Sequence, residues 1–266
     1  MAFKMKLLTV VIGASLSMSA QAGNIFITGH DSDEHRNGAY MSAGLDFLLF
    51  GTAQTGNRNK TVAHIQTFNG ANVAAALTGN YGVTTFSADA AGINSALTGG
   101  YDAVFVGSGS NVSASSALLA AAGLFTTYFN GGGSVYVNTD EGFGQNWFNF
   151  VPSFGTTVAN SISVSGIFAP TAAGSAIGLT QAIVDADVTH NFFTGVDTSL
   201  FTILEVTEQN NSNVPVGQTV ALGLRAGIIS SSGFGSSGNP VPEPATLALM
   251  GLGFAGLAMA RRRKVS

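Results

Sequence analysis

The sequence predicts an α/β protein, a three-layer domain with a mostly parallel sheet and an apolar helical segment at each end of the chain. Three observations predict it. Between residues 24 and 225, apolar runs of strand length alternate with Ala-rich stretches of helical length, the crossover connections that parallel strands need. The strand-like runs are uniformly apolar, as in Ala103-Val104-Phe105-Val106, which suits burial on both faces of a sheet. Glycine falls where helices should stop: Asn130-Gly131-Gly132-Gly133 closes a long Ala-rich run just before Ser134-Val135-Tyr136-Val137.

Taken in order, the expected strands are residues 24–28, 62–67, 83–86, 102–107 and 134–138, with helices at 39–50, 71–77, 90–97 and 113–129 between them. After residue 150 the pattern weakens, although 200–206 and 219–224 read as two further strands. No internal repeat of solenoid spacing is present. The expected organisation is a leader at 1–22, the α/β domain at 23–228, a Ser/Gly linker at 229–240 and a C-terminal segment at 241–266.

Composition narrows the function. Only 9% of the 266 residues are charged, far below the average soluble domain. Six of the ten bases lie at the two ends, and residues 23–240 hold four bases against thirteen acids, a net charge of −9. Such a body is repelled by phosphate backbones, so no nucleic-acid partner is expected. The absence of cysteine excludes disulfides, Cys-ligated zinc, iron–sulfur clusters and a cysteine nucleophile.

The termini carry the most specific patterns. Lys4 and Lys6, the apolar run 7–16 and Ala20-Gln21-Ala22 have the order of a secretory signal, with cleavage after Ala22 by signal peptidase. At the other end, a Pro-rich break precedes the uncharged run 245–260 and Arg261-Arg262-Arg263-Lys264. Sixteen helical residues reach about 24 Å, short for a hydrocarbon core of about 30 Å, which suits a temporary membrane hold with a positive-inside stop. This tail resembles the PEP-CTERM sorting signal through Pro242-Glu243-Pro244, the apolar helix 247–260 and Arg261, Arg262 and Arg263. The resemblance implies a C-terminal transmembrane sorting helix opposite the N-terminal signal helix. It also implies processing by an exosortase, transient residence in the inner membrane and a final place at the cell surface or in the extracellular matrix of a Gram-negative envelope, with exopolysaccharide as a partner.

The body resembles a flavodoxin-like or class I glutamine-amidotransferase-like domain of the ThuA-like branch, through Tyr101–Gly107, the Gly-rich turn into Val135–Val137 and Asp187–Val196. Amidotransferase chemistry would need the cysteine this chain lacks, so the resemblance is to a scaffold.

Ligands of open α/β sheets bind outside the carboxyl ends of the strands. The segment after the first strand, Gly29-His30-Asp31-Ser32-Asp33-Glu34-His35-Arg36-Asn37, holds two of the four histidines and three acids. His30, Asp31, Asp33 and His35 are candidate ligands of a divalent metal, with Asp140 of Asn138-Thr139-Asp140-Glu141-Gly142 completing the shell. The alternative is a solvated polar loop in which Asp31 or Asp33 caps the next helix and Asp140 caps another. The spacing is not an EF-hand, and there is no His-Glu-x-x-His and no Gly-x-Ser-x-Gly. Gly107-Ser108-Gly109-Ser110-Asn111 offers backbone N–H groups to an anion or forms a plain turn. His64 reads as a core or edge histidine. Phe143, Trp147, Phe148, Phe150 and Phe154 read as core packing or as a stacking surface, and His190 with the two phenylalanines after it reads the same way.

Three functions remain open on these grounds: a non-catalytic binding domain at the cell surface, a metal-assisted hydrolase built on the His30–His35 loop, and a degenerate amidotransferase-like domain that binds a small ligand.

Overall fold

The structure, a computed structural model, describes residues 22–67, 72–108, 112–139, 150–208 and 214–236, all within the compact unit Gln21–Pro240. The first half alternates as the sequence predicts: β1 (Gly23–Thr28), α1 (Gly38–Leu49), β2 (Thr61–Gln66), α2 (Val73–Ala76), β3 (Gly82–Ser87), α3 (Ala90–Thr98), β4 (Ala103–Val106), α4 (Val112–Ala120), α5 (Ala122–Asn130) and β5 (Ser134–Asn138). The single helix expected at 113–129 is two. Ala121 leaves helical geometry at φ −89°, ψ 3°, and Gly123 lies in the first turn of the second helix, where it contributes little to continuing a straight one.

The second half is mainly strand: β6 (Thr156–Val164), β7 (Phe168–Pro170), the short α6 (Ala172–Ala176) and α7 (Gln181–Val184), β8 (Thr189–Thr194), β9 (Thr202–Thr207), β10 (Thr219–Ser230) and β11 (Gly233–Ser236). The Ser/Gly stretch expected to be a linker from residue 229 instead begins as a hairpin, because β10 runs to Ser230 and β11 pairs with it. No helix among the described residues is long and apolar enough to cross a membrane. The expected terminal helices, at 1–22 and 241–266, lie outside those residues apart from Ala22.

The eleven strands form one mixed sheet. Its main path is β3-β2-β4-β5-β1-β10-β8-β6, with β9 and β11 paired to β10 and β7 paired to β9. β1 to β5 are parallel, and the rest join antiparallel. A flavodoxin-like order would put β1 inside the parallel block. Here β1 sits between β5 and the antiparallel β10, and the order in which strands are added reverses between the parallel neighbours β2 and β4.

The period-2 alternation of the strands divides the core. Ile25, Ile27, Val104, Val106, Val135 and Val137 face one side, with Ile93 and Leu97 of α3 and Phe125 and Phe129 of α5. Phe26, Phe105 and Tyr136 face the other, against Tyr40, Met41, Leu45 and Leu48 of α1. Both faces are therefore covered, giving the three layers. Phe105 stacks on Tyr136 at 4.3 Å and Tyr136 lies 4.8 Å from Phe26, a row of rings under α1. In the second half, Phe150 packs on Phe125 and Phe154 on Phe193. These rings, with Phe192, serve core packing; Phe143, Trp147 and Phe148 lie outside the described residues.

Candidate functional site

The carboxyl ends of β1, β4 and β5 carry an unusual density of buried polar side chains: Asp31, Ser32, Asp33, Ser108, Asn138 and Thr139 are all at most 2% exposed. The loop after β1 is folded on itself. Glu34 and His35 donate their backbone N–H to the Asp31 carbonyl, and Asn37 donates to that of Ser32. Arg36 takes a left-handed φ of 58°. Neither Asp31 nor Asp33 caps the next helix. Asn37 does, accepting the N–H of Tyr40 at 3.1 Å, so the aspartates are released for other contacts. The second half of the sheet comes close at Gly29, where a Cβ would lie 1.9 Å from the Asn191 carbonyl oxygen, and an isolated bridge joins His30 to Thr189.

The loop then sends its side chains three ways. His30 turns toward β9. Its Nε2 lies 2.7 Å from Glu205 Oε1, and its Nδ1 lies 2.8 Å from both the Val188 carbonyl and Thr189 Oγ1. A carboxylate on one nitrogen and a carbonyl on the other require both to donate, so the ring is an imidazolium. Burial lowers its pKa, but the Glu205 charge and hydrogen bond, with Asp187 and the Val188 carbonyl, outweigh that and raise it to about 9. Tyr40 donates to Glu205 Oε2 at 2.6 Å, which leaves neither carboxylate oxygen bare.

Asp33 turns toward the centre of the parallel block. It accepts the Ser108 backbone N–H at 2.9 Å and Asn138 Nδ2 at 2.5 Å. Burial raises its carboxyl pKa to about 6, against the pull of those donors. The turn after β4 does present an N–H to an anion, as its sequence allowed, but the anion is the chain's own Asp33. Gly107 makes room for it, since a Cβ there would lie 2.7 Å from Asp33 Oδ2.

Asp31 and His35 turn the third way and meet Asp187. His35 Nε2 is 3.3 Å from Asp31 Oδ2, and one ligand atom from each of Asp31, His35 and Asp187 lies within 4.8 Å of the others. Of the five candidate ligands read from the sequence, only Asp31 and His35 share a cluster. His30 and Asp33 have their polar atoms engaged elsewhere, and Asp140 lies outside the described residues. Asp187 and Glu205 were missed as site residues. Glu205 had a signal, as the lone acid in the apolar run Ile203-Leu204-Glu205-Val206.

Two more groups complete the edge. Asn191 donates from Nδ2 to Thr139 Oγ1 at 3.0 Å. His64 is 1% exposed and packs edge-on to Phe105. Its Nδ1 is 3.4 Å from Thr85 Oγ1, and its Nε2 has no hydrogen-bond partner among the described residues. The side chain of His190 is outside those residues.

The tail supplies the comparison that bears on function. Residues 240–264 match the PEP-CTERM protein-sorting motif. That motif indicates an exported protein sorted to the cell surface by an exosortase. No curated protein and no solved structure matches the chain, so the likeness of the body to amidotransferase-like domains gains no support beyond its mixed α/β class.

Proposed function

We propose that the mature protein is an α/β binding domain displayed at, or released from, the surface of a Gram-negative envelope after trimming at both ends. The sorting motif supports export. Binding rather than catalysis is supported by one observation, the sealing of the arrangement that most resembles a catalytic one. Thr189 Oγ1, His30 and Glu205 have the contacts of a hydroxyl–imidazole–carboxylate triad. Yet Thr189 is 3% exposed and the other two are fully buried, and a ring that donates from both nitrogens has no lone pair with which to accept a proton. The polar edge at the ends of β1, β4 and β5, which meets solvent at His35, then serves recognition of a ligand, with exopolysaccharide the candidate macromolecular partner.

Fractionation of the producing cells tests the reading, with exosortase present and removed. The expected result is a surface or released form lacking residues 1–22 and Arg261–Lys264, which co-sediments with the cells' own exopolysaccharide. Retention of the full tail in the mature surface fraction overturns the sorting part. Failure to co-sediment overturns the polysaccharide partner.

A further inference from the structure

Asp31 and Asp187 put two carboxylates side by side in a dry place, 2% and 0% exposed, with His35 closing the group from the solvent side at 42% side-chain exposure. One Asp187 oxygen accepts the Val188 N–H at 2.9 Å; the other, Oδ2, has no hydrogen-bond partner among the described residues. A fully buried carboxylate oxygen left in this way costs free energy unless something positive meets it. His30 does not supply it, since both its nitrogens are engaged by Glu205, Val188 and Thr189.

We propose that Asp31, His35 and Asp187 bind a divalent transition-metal ion of the zinc or manganese kind, which deepens the binding reading above and rests on it only for the place of the site in the domain. Metal–oxygen and metal–nitrogen distances of about 2.0–2.2 Å give neighbouring ligands in a tetrahedral shell a separation of about 3.3 Å. Asp31 Oδ2 and His35 Nε2 are already 3.3 Å apart. One ligand atom of Asp187 lies within 4.8 Å of one from each of the other two, and closing on an ion would draw it inward. The donor set is one nitrogen and two oxygens without sulfur. That composition suits borderline divalent ions, whereas calcium prefers all-oxygen shells of six or more ligands. Three donors leave a position open, and His35 sets it on the solvent side, where water or a ligand of the domain would complete the shell.

Local folding prepares this geometry. The backbone bond from His35 N–H to the Asp31 carbonyl and the left-handed Arg36 hold the two side chains on one side of the turn. The His30–Thr189 bridge brings the segment carrying Asp187 alongside.

The test uses the full-length chain, purified in detergent and stripped with a chelator, then titrated calorimetrically with zinc chloride or manganese chloride and melted with and without each metal. One ion per chain is expected, with a rise in melting temperature. Asp187→Asn should weaken binding at least about tenfold and abolish the rise, while its metal-free melting temperature equals or exceeds that of the wild type because a buried charge has gone. His35→Ala, at an exposed side chain, should show the same loss with an unchanged metal-free fold. Binding weaker than about 1 mM, or equal binding by the wild type and His35→Ala, overturns the site. The sorting result stands or falls separately, because fractionation does not depend on metal.

Discussion

His30 of the loop after β1 and Glu205 of β9 meet 2.7 Å apart with both side chains fully buried, across 175 residues of chain. The pair ties the parallel block to the antiparallel extension, since Tyr40 of α1 closes on the same carboxylate. Removing one partner of a buried pair leaves the other charge uncompensated, which costs about 3–5 kcal/mol. Glu205→Ala should therefore lower stability by about that much in urea denaturation, and Glu205→Gln by less, because the amide oxygen still accepts one bond. A loss under about 1 kcal/mol for Glu205→Ala would mean that the imidazole is neutral in the folded protein.

A second buried pair secures the outer side of α1. Arg58 Nε and Nη2 meet the two oxygens of Asp46 at 3.1 and 3.0 Å, and Tyr81 donates to the same carboxylate. Arg58 also donates to the Gly56 and Gln54 carbonyls and to Asn80. An ammonium group cannot reproduce this planar fork. Arg58→Lys should cost about 1–3 kcal/mol in the same assay, and a neutral outcome would show that the loop 54–60 rearranges without loss.

These two pairs mark where the sequence stops being readable. β1, β4 and β5 are visible because each has an apolar centre between turn residues, as a strand buried on both faces requires, while β2 and the exposed edge strand β3 are marked by short β-branched and aromatic runs between glycines and helices. β6, Thr-Thr-Val-Ala-Asn-Ser-Ile-Ser-Val, and β8, Thr-His-Asn-Phe-Phe-Thr, mix polar and apolar residues without a clear period, and their register comes from partners far along the chain. The same holds at the site. The density of His and acid in residues 30–35 is visible in the sequence, but the direction each side chain takes depends on Asn138 of β5, Glu205 of β9 and Asp187 of the turn before β8, which arrive from far along the chain. Local pattern carries no information about sheet order, and sheet order decides which of these groups meet.

Gly29 tests how tightly the two halves of the sheet are joined. A Cβ there would lie 1.9 Å from the Asn191 carbonyl oxygen and 3.3 Å from the Thr189 side chain. The obstacle is backbone, so β8 itself must move. Gly29→Ala should destabilise by about 1–3 kcal/mol, the usual cost of overpacking, and should broaden amide signals of residues 189–193 in NMR spectra. Unchanged spectra would place the contact between β1 and β8 further apart than the structure has it.

His64 gives the protein a pH dependence whose sign is fixed by burial. The ring lies inside the sheet, its Nε2 unpartnered, and burial lowers its pKa from 6.5 to about 4. Below pH 6.5 the unfolded chain takes up a proton that the folded chain refuses, so the His64 contribution is fully present above 6.5 and is lost as pH falls toward 4. Over that window the loss amounts to about 3 kcal/mol. Asp33 titrates in the opposite sense, because its raised folded pKa of about 6 makes the folded state the better proton acceptor between that value and the ordinary carboxylate range. Total stability therefore hides the histidine, and a difference between two proteins reveals it. His64→Leu removes an unsatisfied buried nitrogen and leaves Asp33 in place. The variant and wild type should have similar stability at pH 7.5, and the variant should gain on the wild type by about 1.4 kcal/mol for each pH unit below 6.5. The difference levels off near pH 4. A difference that stays flat from pH 7.5 to 4 would show that His64 takes up its proton in the folded state, and hence that Nε2 is reached by water through the edge between β2 and β4.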